Sequence, residues 1–287
     1  MRLIILTCLA MIAFAANSVL NRLAVGTGAI DAESFAVIRL ASGMVMLCVL
    51  AFGQKVSLAQ PWPKLVVGGV SLTLYMLGFS LAYRSLDAGL GALILFGVVQ
   101  FTMFGWNALM GQRITPLQLG GGAVALAGLA LVLWPTGMTD KVQTTTFSGL
   151  GFMVLAGLGW GAYSLAGRGA QSPLGATAGN FILSFGLTLM VLLVLGWRPN
   201  VTPFGIALAC LSGAVTSGMG YAIWYRVLPD LPGPLAGTIQ LSVPVIAILA
   251  GALMLGEALS LRILVGAAIV ISGIALVLQG GKPRKTG

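Results

Sequence analysis

The sequence predicts an all-α integral membrane protein, with ten transmembrane helices arranged as two inverted five-helix repeats. Three observations support this prediction: a very apolar composition, ten apolar segments of membrane-spanning length, and a match between the two halves of the chain. Hydrophobic residues make up 58% of the chain and charged residues only 7%, whereas a typical soluble domain has about 25% charged residues. Most of the surface must therefore face lipid.

The apolar segments follow one another with short connections. A helix needs about 20 apolar residues to cross a hydrocarbon core of roughly 30 Å. The ten segments are 3–24, 32–53, 64–84, 88–110, 116–135, 147–167, 173–196, 203–226, 233–255 and 261–280. Several have proline in the first turn, where its missing N–H removes no helical hydrogen bond: Pro63, Pro116, Pro173, Pro203 and Pro234.

The first segment has a second interpretation. Arg2, the apolar run after it and the small residues around Phe14 resemble a cleavable signal peptide. The apolar run continues through Val19 and Leu20, however, and the repeat requires this segment. A transmembrane helix is therefore the preferred interpretation.

An internal repeat relates the two halves. Residues 86–133 align without a gap to residues 231–278, with twelve of 48 positions identical, including three glycines. The repeat predicts a first five-helix unit over 1–135, a linker over 136–146, a second unit over 147–281 and a basic tail over 282–287. Because five is odd, the second unit must enter the membrane from the opposite face, as in many transporters.

The basic residues predict the orientation. Loops on the side of both termini carry nine Lys and Arg residues, and the loops of the other side carry five. Because cytoplasmic loops are enriched in Lys and Arg, we expect both termini in the cytoplasm and the protein in the cell (inner) membrane. The basic residues that make up the net charge of +9 are scattered singly, so the expected partners are the bilayer and a small-molecule substrate, with no nucleic acid.

The chain contains no histidine, and its acidic residues all fall at the ends of the segments or between them. Acid–base and metal catalysis usually depend on such groups at the site. We therefore expect no enzyme activity, no cofactor and no metal. A channel would need a ring of carbonyls or charges that the sequence does not show.

Residues near the end of the chain resemble a known family. Pro244 in the ninth segment, Gly256-Glu257 at its end, and Gly266 and Gly273 in the tenth are similar to the EamA-type branch of the drug/metabolite transporter superfamily. The first half departs from this pattern, since Gln100 and Gly111 have no neighbouring Pro or Glu at the matching positions.

The resemblance implies an inverted-repeat carrier with a central cavity, similar to bacterial exporters of amino acids, some of them aromatic. The expected function is export of a small neutral or zwitterionic metabolite by alternating access. Carriers of nucleobases, sugars or lipid-linked substrates, and a non-transporting scaffold, remain alternatives.

Small multidrug antiporters of the same superfamily use a mid-membrane glutamate of the first helix to exchange protons for cations. Here that region ends in Asn17, which disfavours such exchange.

Uncharged polar residues are the first candidates for the cavity, because polar groups in lipid are costly. The amides at mid-membrane depth are Asn17, Gln100, Asn107, Asn180 and Gln240. An amide can both donate and accept, which suits a zwitterion; the alternative is hydrogen bonding between helices. Gln100 and Gln240 are preferred because the repeat makes their helices equivalent.

Aromatic residues are the second group of candidates. Tyr75, Phe79 and Tyr83 recur every four residues and share one helix face. The repeat places a similar face opposite, and the sixth segment adds two more rings; these candidates are Tyr221, Trp224, Trp160 and Tyr163. The alternative is an aromatic belt at the lipid–water boundary, above all for Tyr83.

Three further residues are predicted to be structural or gating: Arg39, Pro244 and Glu257. Arg39 lies inside the second segment, where it could brace the repeat or meet a carboxylate, and the structural role is preferred. The spacing of Ala209, Gly213 and Ser217 is typical of close helix packing.

Overall fold

The computed structural model describes residues 1–111, 115–133, 143–231 and 239–280. These residues form helices and one isolated β-bridge between Ile30 and Val201, which confirms the predicted all-α class. The helices are α1 (Arg2–Gly26), α2 (Ala32–Gly53), α3 (Trp62–Ala82), α4 (Ala88–Leu109), α5 (Pro116–Leu133), α6 (Gln143–Ala166), α7 (Pro173–Val194), α8 (Pro203–Val227), α9 (Ser242–Leu255) and α10 (Leu261–Gly280). Three predicted parts of the chain lie wholly or partly outside the described residues: residues 136–142 of the linker, residues 233–238 of the ninth segment, and the basic tail 282–287.

The outer surface of the bundle is apolar. Within the described residues, eight helices are long and apolar enough to cross a membrane, and α5 and α9 are shorter apolar helices. Every helix exposes large apolar side chains, among them Val49, Val194 and Leu253. Patches of this extent are rare on soluble monomers and indicate contact with lipid.

The α1–α2 connection is fixed by Asp31. Its carboxylate caps α2 by accepting from the backbone N–H of Ser34, and it also accepts from Trp197 Nε1 (3.2 Å) and the N–H of Asn200 (2.7 Å). Burial alone would raise the pKa of Asp31, but these hydrogen bonds outweigh burial and leave the pKa lowered. The start of α2 is thereby tied to the segment that precedes α8.

The middle of α8 is π-helical. Residues Leu211–Met219 have i→i+5 bonding, between α-helical turns at Pro203–Cys210 and Gly220–Val227. The wider turn brings Ser212, Thr216 and Ser217 toward one neighbour on α1, and such segments are frequent at functional sites. Gly213 packs on α2 as its spacing predicts, because a Cβ there would lie 2.2 Å from the carbonyl oxygen of Arg39.

The helix contacts follow the repeat. If the repeat makes α1–α5 equivalent to α6–α10, then the contact of α3 with α6 corresponds to that of α1 with α8. In the same way α4–α6 corresponds to α1–α9, and α2–α8 corresponds to α3–α7; all of these pairs are in contact. The pair α5–α10 maps onto itself and is tightly packed. The packing therefore has the pattern expected of a duplicated bundle.

Contacts at the helix ends show that the two halves start at opposite ends of the bundle. We call one end the Arg22 end, because Arg22 at the end of α1 meets Asp87 before α4 and Glu257 after α9. The start of α6 lies at this end, since Gly149 packs against Ser85. The other end holds the start of α1. We call it the Lys64 end, after Lys64 in the first turn of α3. It also holds the end of α10, because Gly280 accepts from the hydroxyl of Thr115 at the start of α5 (3.3 Å).

Candidate functional site

A small cavity lies at the centre of the bundle, where helices of both halves meet. Its volume is about 20 Å³, which is room for roughly one water molecule. An amino acid does not fit, so the structure shows this site closed. Residues of α1, α3, α4, α6 and α8 line it: Phe14, Asn17, Ser18, Tyr75, Phe79, Leu95, Phe96, Trp160 and Tyr221.

Aromatic rings form most of the cavity wall. Trp160 lies at their centre, with ring centroids 4.9 Å from Tyr75, 5.2 Å from Tyr221 and 6.4 Å from Phe14. The repeat alignment pairs Trp160 with Phe14 and Tyr221 with Phe79, and all four line the cavity. Rings at equivalent positions of the two halves therefore line the same cavity.

Asn17 is the polar centre of the wall. Its Oδ1 accepts from the hydroxyls of Ser212 (2.8 Å), Thr216 and Ser217 (3.3 Å), all in the π-helical part of α8. These hydrogen bonds occupy the carbonyl oxygen as an acceptor. The side chain can then offer the cavity only the N–H groups of Nδ2.

Three predicted aromatic residues lie beside the cavity, in contact with rings of its wall. The Tyr83 ring is 4.8 Å from Phe79, the Tyr163 ring is 5.4 Å from Trp160, and the Trp224 ring is 6.0 Å from Phe14. Tyr83 is fully buried and donates to the carbonyl of Ala88 (3.3 Å). The aromatic-belt interpretation is therefore wrong for Tyr83.

Three of the other predicted amides are not among the lining residues: Gln100, Asn180 and Gln240. Gln100 is buried in α4, one turn beyond Phe96, and Gln240 is half-buried before α9. Asn180 accepts from Gln60 Nε2 (2.8 Å) and so links α7 to the start of α3. The side chain of Asn107 lies outside the described part of the chain.

Glu257 joins three helices at the Arg22 end. Gly256 has a φ of +68°, a left-handed conformation that ends α9 and turns the chain. Glu257 Oε1 then accepts from the N–H of Ala88 (2.8 Å) at the start of α4 and lies 3.7 Å from Arg22 Nε. The amino end of a helix favours a negative charge. The Gly-Glu pair predicted from the family pattern thus joins α9, α4 and α1.

Pro244 is buried and is the third residue of α9, which begins at Ser242. Its missing N–H therefore falls in the first turn, where it breaks no helical hydrogen bond.

Stability should depend on pH through Glu257. Burial raises the pKa of Glu257 above its ordinary value of 4.5, despite the N–H of Ala88. A raised carboxyl pKa favours the folded state below pH 4.5, and this contribution is lost as pH rises through the folded pKa. We expect wild type to lose stability relative to Glu257→Gln over that rise, measured by thermal unfolding in detergent micelles.

The matched control for this measurement is Asp230→Asn, because Asp230 is exposed at the Lys64 end. The difference in stability between Asp230→Asn and wild type should stay constant over the pH range in which Glu257 titrates. A constant difference between wild type and Glu257→Gln across the same pH range would contradict the prediction.

Four lining residues were missed as site candidates by the sequence analysis: Phe14, Ser18, Leu95 and Phe96. For Phe14 and Ser18 the repeat held a signal, since they align with Trp160 and Ser164. Leu95 and Phe96 carry no such signal, because an apolar residue of a transmembrane helix can face lipid or the interior equally well.

The chain is similar to several known proteins. The profile of the EamA-like transporter family matches residues 147–279. An uncharacterised protein of Pseudomonas aeruginosa is 43% identical over 277 residues, covering 96% of this chain and 94% of that protein. A "probable amino-acid metabolite efflux pump" of Salmonella typhimurium is 25% identical over 224 residues, covering 70% and 71% of the two chains.

More distant relatives agree with this. The uncharacterised transporter YwfM of Bacillus subtilis is 24% identical, covering 78% of this chain and 76% of its own. A crystal structure with 21% sequence identity superposes with a TM-score of 0.66, covering 94% of this chain and 96% of the other, which shows a common fold. This chain, a multi-pass membrane protein, belongs to the EamA-like transporter family.

Proposed function

We propose that this protein exports a small neutral or zwitterionic metabolite across the cell (inner) membrane, with amino acids that carry an apolar or aromatic side chain as the first candidates. The observation that carries the proposal is the ring-lined cavity where the two halves meet. Transporters built from repeats place their substrate at this interface. The named efflux pump among the relatives supports an amino-acid substrate.

The lining suits a ring or an apolar side chain. Rings of Phe14, Tyr75, Phe79, Trp160 and Tyr221 meet at centroid distances of 4.9–6.4 Å, the range of favourable aromatic pairs. A substrate ring would replace contacts that these rings now make with one another. The rings could then separate and open the closed cavity, because contacts with the substrate would replace the apolar contacts that the rings lose.

Alternating access needs a closure at each end of the cavity. At the Arg22 end, Tyr83 packs against Phe79, and Arg22 joins Asp87 (3.4 Å) and Glu257 outside it. At the Lys64 end, Tyr163 packs against Trp160 and meets Thr177 (3.5 Å). In the proposed cycle these two closures open in turn.

The proposed orientation puts the Lys64 end in the cytoplasm. The start of α1 and the end of α10 lie at that end, together with Lys55 and Arg168, and cytoplasmic loops are enriched in basic residues. The units 1–135 and 147–281 are then the two halves that move against each other.

Counterflow in liposomes tests the function. Purified protein in liposomes loaded with an unlabelled amino acid should take up the labelled form of that amino acid. Trp160→Ala should lower this rate by about tenfold or more, because Trp160 contacts four other rings. The control is Trp62→Ala, since Trp62 is 69% exposed at the start of α3.

Two results would reject the proposal. One is uptake equal to that of empty liposomes over a broad panel of amino acids and related metabolites, which would favour a scaffold. The other is a Trp160→Ala variant as active as wild type, which would place the substrate path elsewhere.

A further inference from the structure

Arg39 is a buried cation beside the cavity. Its side chain is 0% exposed in α2, Nε donates to Ser217 Oγ (3.0 Å) and Nη2 donates to Tyr75 Oη (3.0 Å). The guanidinium carbon lies 5.0 Å from the ring centroid of Phe79 and 5.4 Å from that of Tyr75. The remaining nitrogen, Nη1, is buried and has no hydrogen-bond partner in the part of the chain that the structure describes.

No acidic side chain of the described residues forms an ion pair with Arg39. The acidic partners found there belong to Arg22 and Arg84, which pair with Asp87, Glu257 and Glu33 near the Arg22 end. A charge inside a membrane protein is costly, and it usually pairs with an opposite charge or marks a substrate path. Arg39 thus has a positive charge that the described protein does not balance.

The polar groups of the cavity wall can donate hydrogen bonds. Tyr75 Oη accepts from Arg39, so its own proton is available to a ligand. Asn17 has its oxygen occupied by three hydroxyls, which leaves the N–H groups of Nδ2. Tyr221 is 2% exposed, and its hydroxyl, which lies near that of Tyr75, makes no hydrogen bond of ordinary length to the described residues. These three donors, with a cation behind them, suit an anion.

We propose that the cavity binds the carboxylate group of its ligand. In this arrangement Tyr75, Asn17 and Tyr221 donate to the carboxylate, and Arg39 is a positioning residue that balances its charge and holds Tyr75. The rings hold the apolar part of the ligand. The inference rests on the proposed function and names the group by which the site recognises its ligand, a carboxylate attached to an apolar or aromatic part.

An ammonium group is not required by this site. No carboxylate is among the nine lining residues, so an ammonium would find no opposite charge in the wall. Amino acids and their analogues without an amino group should therefore bind similarly. Amines that lack the carboxylate should bind poorly, because both they and Arg39 are positively charged.

Binding to the purified full chain tests this, followed by the change in intrinsic tryptophan fluorescence, since Trp160 lies in the wall. The probes are phenylalanine, 3-phenylpropanoate and phenethylamine, which share one ring system. We expect the two carboxylates to bind at least about tenfold more tightly than the amine, as charge-assisted hydrogen bonds are the strong ones. Equal binding of the amine would overturn the proposal.

Variants separate positioning from a merely structural role. Arg39→Gln should abolish the preference for carboxylates, and Arg39→Lys should restore part of it. Asn17→Asp keeps an acceptor for the three hydroxyls but adds a negative charge near Arg39, so it should also lower carboxylate affinity by about tenfold. The control is Arg226→Gln, because Arg226 is exposed at the end of α8.

The outcomes distinguish this inference from the proposed function. Should Arg39→Gln fail to fold, the Asn17→Asp variant still decides, and an unchanged carboxylate preference in it would overturn the inference. No binding of either carboxylate would also overturn it, whereas liposome counterflow of an uncharged metabolite would leave transport itself standing. Carboxylate binding without counterflow would instead keep the inference and reject the proposed transport.

Discussion

Replacing Gly273 by alanine is expected to prevent α10 from packing against α5. A Cβ at Gly273 would lie 2.4 Å from the backbone nitrogen of Ala125 and 2.6 Å from the carbonyl oxygen of Gly121. These atoms are backbone and cannot move aside as a flexible side chain can. Overpacking of this kind costs about 3 kcal/mol or more where the backbone must shift, measured as the free energy of unfolding in detergent micelles.

The repeat gives this contact a symmetric partner. Gly121 and Gly128 align with Gly266 and Gly273, and in the structure Gly121 packs on Gly273 while Gly128 packs on Gly266. Gly128→Ala should therefore be destabilising as well, because its Cβ would lie 2.8 Å from the backbone nitrogen of Val270. Two of the three glycines shared by the two halves therefore lie in the contact between α5 and α10.

A matched control comes from Gly186 in α7, where an added Cβ meets no atom within 4 Å. Gly186→Ala should be neutral or stabilising by up to about 1 kcal/mol, because alanine has the higher helix propensity. The two substitutions are chemically identical and are predicted to have opposite effects. If Gly273→Ala unfolds at the same denaturant concentration as Gly186→Ala, the close packing of α5 and α10 is not needed for stability.

Replacing Asn17 by leucine is expected to destabilise the contact between α1 and α8. Ser212 and Ser217 would lose their acceptor, while Thr216 can still donate to the carbonyl of Ser212 (2.9 Å). Each buried hydroxyl left without a partner costs about 1–3 kcal/mol. We therefore expect a loss of about 3 kcal/mol in the free energy of unfolding, together with loss of transport in the liposome assay.

Asn17→Asp is the control for this effect. Its carboxylate still accepts from the three hydroxyls, so this variant should unfold close to wild type. The leucine variant therefore tests the effect of losing the acceptor of the three hydroxyls, and the aspartate variant tests the effect of a negative charge beside Arg39. A leucine variant as stable as wild type would mean that the π-helical segment does not depend on Asn17.

Much of the fold was predictable from local sequence. The apolar segments predicted the helices, because spanning a membrane requires a continuous apolar run that satisfies its own backbone hydrogen bonds. The predicted segment 173–196 corresponds to α7 at Pro173–Val194, and 261–280 to α10 at Leu261–Gly280. The repeat also aligned Phe79 with Tyr221, and both line the cavity, since duplicated helices present equivalent faces.

The polar part of the candidate site was only partly predictable. Asn17 is among the residues that line the cavity, and Gln100 and Gln240 are not. Sequence assigns an amide to a depth in the membrane, and not to one side of its helix. The π-helical turn of α8 was also missed, because its residues Ser212, Thr216 and Ser217 have no partner until α1 brings Asn17 against them.

The sequence by itself predicted three features: a membrane protein of ten apolar helices, a duplication with shared glycines, and aromatic rings at equivalent positions of the two halves. Only the tertiary structure decided which rings meet, that Tyr83 is buried, and that Arg39 lies beside the cavity with Tyr75 and Ser217 as its partners. The physical reason is that lipid and the protein interior are similarly apolar, so hydropathy cannot tell a lipid-facing side chain from a buried one.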